Sequence, residues 1–312
     1  MKQRRKSTLL VLFTSLCAVM LAGILIKWFC RSRTPVVSFS EWIAVKPIEA
    51  EDAAFRFAVA SMVSAEETWA TYRKLVDYVA TRIGDRASMV LRPSYSDVRI
   101  LLEQGKVDVA FVCTGTYIAC SQLGSVELLA VPEFKDDAKY RSLFIVREDS
   151  TVNTVADLRG KTFAFTDPES NTGCVVPSWL VSQQGINPEA FFSKIVYTGS
   201  HDRSLHAVVR GVVEGASVHS LVYYSFARTH PELKERLRAI WQSEAFGAPP
   251  IVVPFSLPTT TKEKLRTVFL SMSQKTPGRA ILDGLSIECF RMPEEDEYDS
   301  AREIWKATNR LK

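Results

Sequence analysis

Basic residues are scarce where a nucleic-acid partner would require them. Of the 39 Lys and Arg, seven (Lys2, Arg4, Arg5, Lys6, Lys27, Arg31, Arg33) fall in residues 1–33, which hold no acid; beyond them 32 bases face 35 acids. A protein that reads a phosphate backbone carries a basic footprint, so nucleic acid is excluded as a partner. Glycine and proline, 14 each in 312 residues, are too few for a linker-dominated or collagen-like chain. The six cysteines (Cys17, Cys30, Cys113, Cys120, Cys174, Cys289) form no Cys-x-x-Cys pair and no His-paired metal spacing, and are read as small buried apolar residues. Also missing are Gly-x-Ser-x-Gly, His-Glu-x-x-His, a P-loop, a dinucleotide glycine motif and any fixed-period repeat. Neither metal, cofactor nor catalysis is expected.

What remains is an ordinary globular composition, 46% hydrophobic and 24% charged, on a chain long enough for two lobes. One segment stands apart. Residues 7–26, STLLVLFTSLCAVMLAGILI, carry no charge and follow the basic tip. A helix of about 20 apolar residues spans a bilayer core, and the flanking bases favour a cytoplasmic N-terminus. Residues 1–33 are therefore expected to be a basic tip and membrane anchor, and 34–54 a tether, placing the lobes outside the inner membrane. The alternative, a cleaved signal peptide, requires a shorter apolar core and a small-residue cleavage site. Neither Cys17 nor Cys30 follows the small residues of a lipoprotein signal.

From residue 55 onward, strand and helix patterns alternate. FRFAVAS (55–61), MVLRPS (89–94), VDVAFVC (107–113), KTFAFTD (161–167), IVYTGS (195–200) and ASVHS (216–220) read as strands; WATYRKLVDYVATRIG (69–84), SDVRILLEQG (96–105) and SLHAVVRG (204–211) read as helices. Residues 259–312 read as mostly helical. This is an α/β architecture with largely parallel sheets. The alternation breaks near 140–160 and 238–254, predicting two crossovers between lobes: 55–145 and 240–312 in lobe 1, 146–239 in lobe 2.

Two motifs carry chemistry. Asp167-Pro168-Glu169-Ser170-Asn171-Thr172-Gly173 follows a strand and opens a helix. Helix starts expose backbone N–H groups and a positive dipole end, and therefore hold anions. Ser170 and Thr172 add hydroxyls, and Gly173 admits an anion to the backbone; the competing reading is a plain N-cap. Gly199-Ser200-His201-Asp202 ends a strand and starts the next helix, and parallel strands bring such ends to one crevice. There His201 donates a hydrogen bond to an oxyanion, with a positive charge if protonated; the competing reading is a capping or core histidine. Asp202 is expected to orient His201 or cap its helix. A hydrolase built on Ser170, His201 and Asp202 is disfavoured, because an Asp adjacent in sequence rarely holds a His from behind.

The segments FAFTDPESNTGCVVPSWLV (163–181), TGSHDRSLHAVVRGVVEGASV (198–218), YSDVRILLEQGKVDVAFV (95–112), Tyr140-Arg141-Ser142 and IWQSEAFGAPPIV (240–252) together resemble the phosphate/phosphite/phosphonate-binding family of ABC-transporter substrate-binding proteins. The resemblance implies a two-lobed type II periplasmic binding protein fold with two hinge strands and the ligand in the cleft. It implies a ligand-binding set of Ser170, Asn171, Thr172, Gly173 and His201 from lobe 2. The opposite side of the cleft is expected to offer Tyr140, Thr114, Thr116, Tyr117 and Ser64. Cys113-Thr114 stands where the family often has Gly-Pro, which implies altered selectivity. An aminoalkyl ligand needs a carboxylate for its ammonium, and His219, Leu221, Gly247 and Ala248 occupy the positions that would supply one. The expected ligand is thus a small anion without an amine: phosphate, phosphite or an alkylphosphonate. The expected partner is an ABC permease or, alternatively, a sensor kinase or chemoreceptor.

Overall fold

The computed structural model describes residues 55–135 and 139–309. The expected anchor (7–26) and tether (34–54) lie outside them; among the described residues no helix is long and apolar enough to cross a membrane.

The chain runs β1 (Phe55–Ala60), α1 (Ala65–Ile83), β2 (Ala87–Arg92), α2 (Tyr95–Glu103), β3 (Val109–Phe111), α3 (Thr114–Gln122) and β4 (Val126–Phe134) before leaving its first sheet. It then forms β5 (Ser142–Arg147), β6 (Thr162–Phe165), α4 (Val176–Ser182), β7 (Lys194–Tyr197), α5 (His201–Val209), β8 (Gly215–His219), α6 (Ser220–Thr229) and β9 (Leu237–Gln242). It returns as β10 (Ile251–Pro254), α7 (Thr259–Ser271), α8 (Thr276–Gly284), β11 (Ile287–Arg291) and α9 (Asp299–Asn309). The first sheet has the order β11-β4-β10-β3-β1-β2 and the second β7-β6-β8-β5-β9. Strands β1, β2 and β3 are parallel, as are β6, β7 and β8; β5 and β10 run antiparallel to their neighbours.

Two segments therefore cross between the sheets, one before β5 and one after β9. They meet in an isolated antiparallel bridge between Tyr140 and Phe246, where the Phe246 amide donates to the Tyr140 carbonyl at 2.9 Å. The whole of β5 belongs to the second sheet, so the division drawn at 145 cuts through a strand; the apolar run 142–146 shows no break that would mark the crossing. Likewise β9 extends to Gln242, past the boundary drawn at 240. The 259–312 segment contains a strand that its helical reading omitted. Ile287 and Phe290 enter the core while β11 pairs antiparallel with β4.

Both faces of each sheet are covered. Along β1, Phe55, Phe57 and Val59 enter one apolar cluster and Ala58 the other; along β5, Leu143 and Ile145 face one cluster and Phe144 and Val146 the other. This is the period-2 geometry of a strand buried on both sides, and it explains why these strands read as continuous apolar runs. The cost of burying their backbone is met by the ladders, and the C-terminal ends of the parallel strands of both sheets are left facing the space between the lobes.

Candidate functional site

The loops at those strand ends bring together buried polar side chains that make no hydrogen bond. Lobe 1 contributes the Ser61 hydroxyl after β1 and the Tyr95 phenol at the start of α2. The crossover contributes the Tyr140 phenol. Lobe 2 contributes the Thr166 hydroxyl after β6, the side-chain amide of Asn171, the Thr172 hydroxyl, the Ser200 hydroxyl and Nε2 of His201. Every one of these residues is at least nine-tenths buried. An unpaired buried polar group costs about 1–3 kcal/mol, and native interiors contain few. A cluster from two lobes and a hinge is therefore the mark of a site whose partners come from outside the chain.

Their proximity shows in the groups that perturb one another. Burial pushes the Tyr140 phenol well above its ordinary range, and the side chains of Thr172, Asn171 and Thr114 beside it act in the opposite direction without completing a hydrogen bond. Burial raises Tyr95 as well, with Cys113, Asp167 and Tyr140 adding to the effect. The Cys113 thiol, raised by burial, lies against the backbone amides of Asn171 and Gly115 and the Tyr140 phenol. Rings continue the wall: Tyr140 to His219 at 4.4 Å between centroids, and His219 to His201 at 5.6 Å.

His201 is held in one tautomer. Its Nδ1 accepts a hydrogen bond from the His219 amide at 3.1 Å, so the ring proton sits on Nε2, which faces the cluster unpartnered. Burial alone brings its pKa down to about 3. His201 is thus a neutral donor near pH 7, and the charged imidazolium considered from the sequence is not formed. Asp202 does not orient it; one Asp202 carboxylate oxygen is itself buried without a partner.

The segment after β6 is a wide turn, Asn171–Val175, in which the Val175 amide reaches back five residues to the Ser170 carbonyl. Such turns interrupt α-helices at functional sites. The Ser170 hydroxyl oxygen accepts from the Gly173 amide at 3.0 Å, so Ser170 is the N-cap of this turn, a bond that leaves its own O–H proton unused. Gly173 is required by packing: an added Cβ would lie 1.9 Å from the Thr166 hydroxyl. The Thr172 carbonyl accepts from Ser142 and Ser217, which fixes the backbone and leaves its own hydroxyl in the cluster. No side-chain oxygen caps α3 or α5, so both first turns present N–H groups and positive dipole ends.

The remaining expected residues have other occupations. Thr114, buried beside Tyr140, donates to the Gly247 carbonyl at 2.9 Å. Thr116 donates to Glu169 at 3.4 Å. Tyr117 does not join the cluster: it packs on Tyr298 in the lobe 1 core, and its hydroxyl accepts from Arg302. Ser64 caps α1 through the Glu67 amide. Ser61, Tyr95, Thr166 and Ser200 escaped the sequence reading. Their signal is positional, since each stands within three residues of a parallel strand's end, but lone hydroxyls there also serve as caps.

The lobes are shut on each other. The His201 amide donates to the Met62 carbonyl at 3.0 Å and the Tyr95 amide to Asp167 at 3.1 Å. Arg99 pairs with Glu169 at 2.8 Å across the gap. A Cβ on Gly115 would fall 2.1 Å from the Glu169 carbonyl oxygen, so the N-terminus of α3 touches the lobe 2 loop directly. No group of three or more metal-ligating side chains occurs among the described residues.

Two α/β lobes, two crossovers and a polar cluster sealed between them define a two-lobed periplasmic binding protein. The model of the family described as "ABC transporter, phosphonate, periplasmic substrate-binding protein" matches residues 57–298. The chain belongs to that family, and so is a substrate-binding transport component and not an enzyme. It is 24% identical over 276 residues to the phosphonates-binding periplasmic protein of Escherichia coli, covering 87% of this chain and 81% of that one. It is 23% identical to the phosphate-import protein PhnD of Mycolicibacterium smegmatis, covering 76% and 73%. A phosphonate-transporter binding protein from Pseudomonas aeruginosa superposes with a TM-score of 0.78 at 22% identity, covering 83% of this chain and 88% of that one. PhnD1 of Prochlorococcus marinus, in complex with methylphosphonate, superposes at 0.74 with 16% identity, covering 82% and 98%.

Proposed function

We propose that the chain captures a small tetrahedral oxyanion (phosphate, phosphite or a short alkylphosphonate) between its lobes and delivers it to an ABC permease. The observation that carries this reading is the sealed cluster of unpartnered hydroxyl, amide and imidazole groups contributed by both lobes. Among those groups there is no Lys or Arg. An anion there is held by neutral dipoles, namely Thr172, Tyr140, Asn171 and the His201 Nε2–H, with the helix starts of α3 and α5. The lobes close because only the shut form presents donors from both sides, so ligand shifts an open–closed equilibrium. The relatives' substrates support the class: one is a methylphosphonate complex and another is named for phosphate import.

Residues 7–26 serve in this reading as an uncleaved inner-membrane anchor and 34–54 as a tether, holding the lobes outside the membrane beside the permease. The lack of a lipoprotein cysteine at the anchor motivates a second role, presentation of the loaded lobes to a sensor kinase. Affinity capture from membranes separates the two by whether permease or kinase co-purifies with the loaded protein.

The direct test is a thermal-shift and calorimetric screen with phosphate, phosphite, methylphosphonate and sulfate. Ligand binding only the folded state raises the midpoint with concentration. At least one phosphorus oxyacid should do so, and Thr172→Val should remove most of the shift. No response to any oxyacid would end the proposal.

A further inference from the structure

A cavity lies between the lobes beside the oxyanion cluster. It measures about 1020 Å³ and is lined from lobe 1 by Ser64, Tyr72 and Phe111 and from lobe 2 by Asp202, Tyr224 and Phe226, among others. None of the residues whose buried hydroxyl, amide or imidazole donors make up the oxyanion cluster lines it, apart from the neighbouring Asp202. Two side chains, however, belong to both walls. Met62 lines the cavity and packs in one cluster with Tyr95 and Cys113. His219 lines the cavity and sets its ring against Tyr140 and His201. Both are more than nine-tenths buried, and the Met62 carbonyl–His201 amide bond runs between them from lobe to lobe.

We propose that Met62 and His219 form the partition that sets the ligand's size. It rests on the oxyanion reading above, and narrows it to oxyacids bearing no substituent or a very short one. The partition is not a passive filler. His219 is fixed at both ends: its Nδ1 accepts from the Leu221 amide at 3.1 Å, and its own amide holds His201. A ring so pinned does not swing aside for an alkyl chain, and a chain that forces it meets an overpacked core. Behind the partition the space is already present. Removing the wall therefore opens the cluster onto this space, and the apolar rings of Tyr72, Phe111 and Phe226 offer an alkyl tail a surface to bury.

Two substitutions test this with the backbone contacts kept. Met62→Ala retains the carbonyl that accepts from His201. His219→Asn retains a side-chain acceptor suited to capping α6. For each protein the affinities for methylphosphonate and n-butylphosphonate are measured by calorimetry, and their ratio is compared, so that a general weakening cancels. The native protein should favour methylphosphonate by roughly 100-fold, and each variant should narrow that preference by roughly 10- to 100-fold, the size of a relieved overpacking penalty. Equal native affinity for the two ligands would overturn the partition, as would an unchanged ratio in cooperatively melting variants. Native protein that binds neither phosphonate, phosphite nor phosphate would overturn the oxyanion reading itself. Binding of small oxyanions with the size ratio unaffected would overturn the partition alone.

Discussion

Thr172 and His201 show what single residues contribute to the cleft. The Thr172 hydroxyl is wholly buried and unpartnered while its carbonyl is held by Ser142 and Ser217. Thr172→Val keeps the shape and deletes the unpaired group. The unliganded variant should melt about 2–4 °C higher while binding oxyanion about 10-fold or more weakly, since the hydroxyl is costly until a ligand satisfies it. Calorimetric scans paired with titrations would reveal the opposite movements. His201 gives a pH prediction. Its folded pKa of about 3 lies below the ordinary 6.5, so between those values the unfolded chain binds a proton that the folded chain refuses. Stability contributed by the neutral ring is complete above 6.5 and falls as pH drops through the window, by up to about 1.4 kcal/mol per pH unit. His219, held well below its ordinary range by burial and by His201, adds in the same direction. His201→Gln should melt with a shallower acid dependence. It should also weaken binding by roughly 10- to 100-fold, one hydrogen bond to a charged ligand. The ratio of native to variant affinity should stay constant from about pH 5 to pH 8, because the ring does not titrate there; a ratio that grows toward acid would restore the imidazolium.

At the scale of elements, α3 acts as the closing edge of lobe 1. It starts directly after β3 with Cys113 as an uncapped N-cap, and Gly115 in its first turn touches the Glu169 carbonyl. Gly115→Ala suits the helix itself, by up to about 1 kcal/mol, but puts a methyl group where the other lobe must come. The variant should keep its melting temperature and lose affinity. If the shut form drops to about 1% of molecules, the apparent Kd rises about 100-fold. Small-angle scattering in saturating oxyanion would show a larger radius than native; a native radius with native affinity would mean that the loop yields instead. The elements also mark where sequence patterns fail. α1 and α2 were legible from apolar spacing, though the reading at 69–84 starts α1 four residues late because Ser64 reads there as a ligand and not as its cap. β11 was not, because Ile287–Arg291 is a short edge strand whose alternation is lost between two helices.

For the molecule as a whole, closure is distributed. The Met62–His201, Tyr95–Asp167 and Arg99–Glu169 contacts span the lobes at separate points. Arg99 also pairs with Glu103 on its own helix, and Glu169 is pushed up by burial against it. Because the guanidinium remains partly solvated, Glu169→Gln should weaken oxyanion binding only about 2- to 5-fold, and the difference should shrink at high salt. Titrations at two ionic strengths check this. A loss far beyond that range would make the pair an organiser of the site instead of a latch.

The sequence by itself determined the α/β class, the two-lobed plan, the helix-like turn at 170–173 and the histidine opening α5, because apolar periodicity, helix-start chemistry and family resemblance are all local or in-order signals. Only the tertiary structure decided which of those groups remain free. The Gly173 amide is taken by the Ser170 oxygen within their own turn, and Tyr117 by the lobe 1 core. Tyr95 and Ser61, far away in the chain, are brought in by lobe closure. His201 is made neutral by burial and fixed by the His219 amide. Whether a hydroxyl is a cap or a ligand depends on what stands opposite it across the cleft, and that neighbour is set by packing, which no stretch of the chain carries alone.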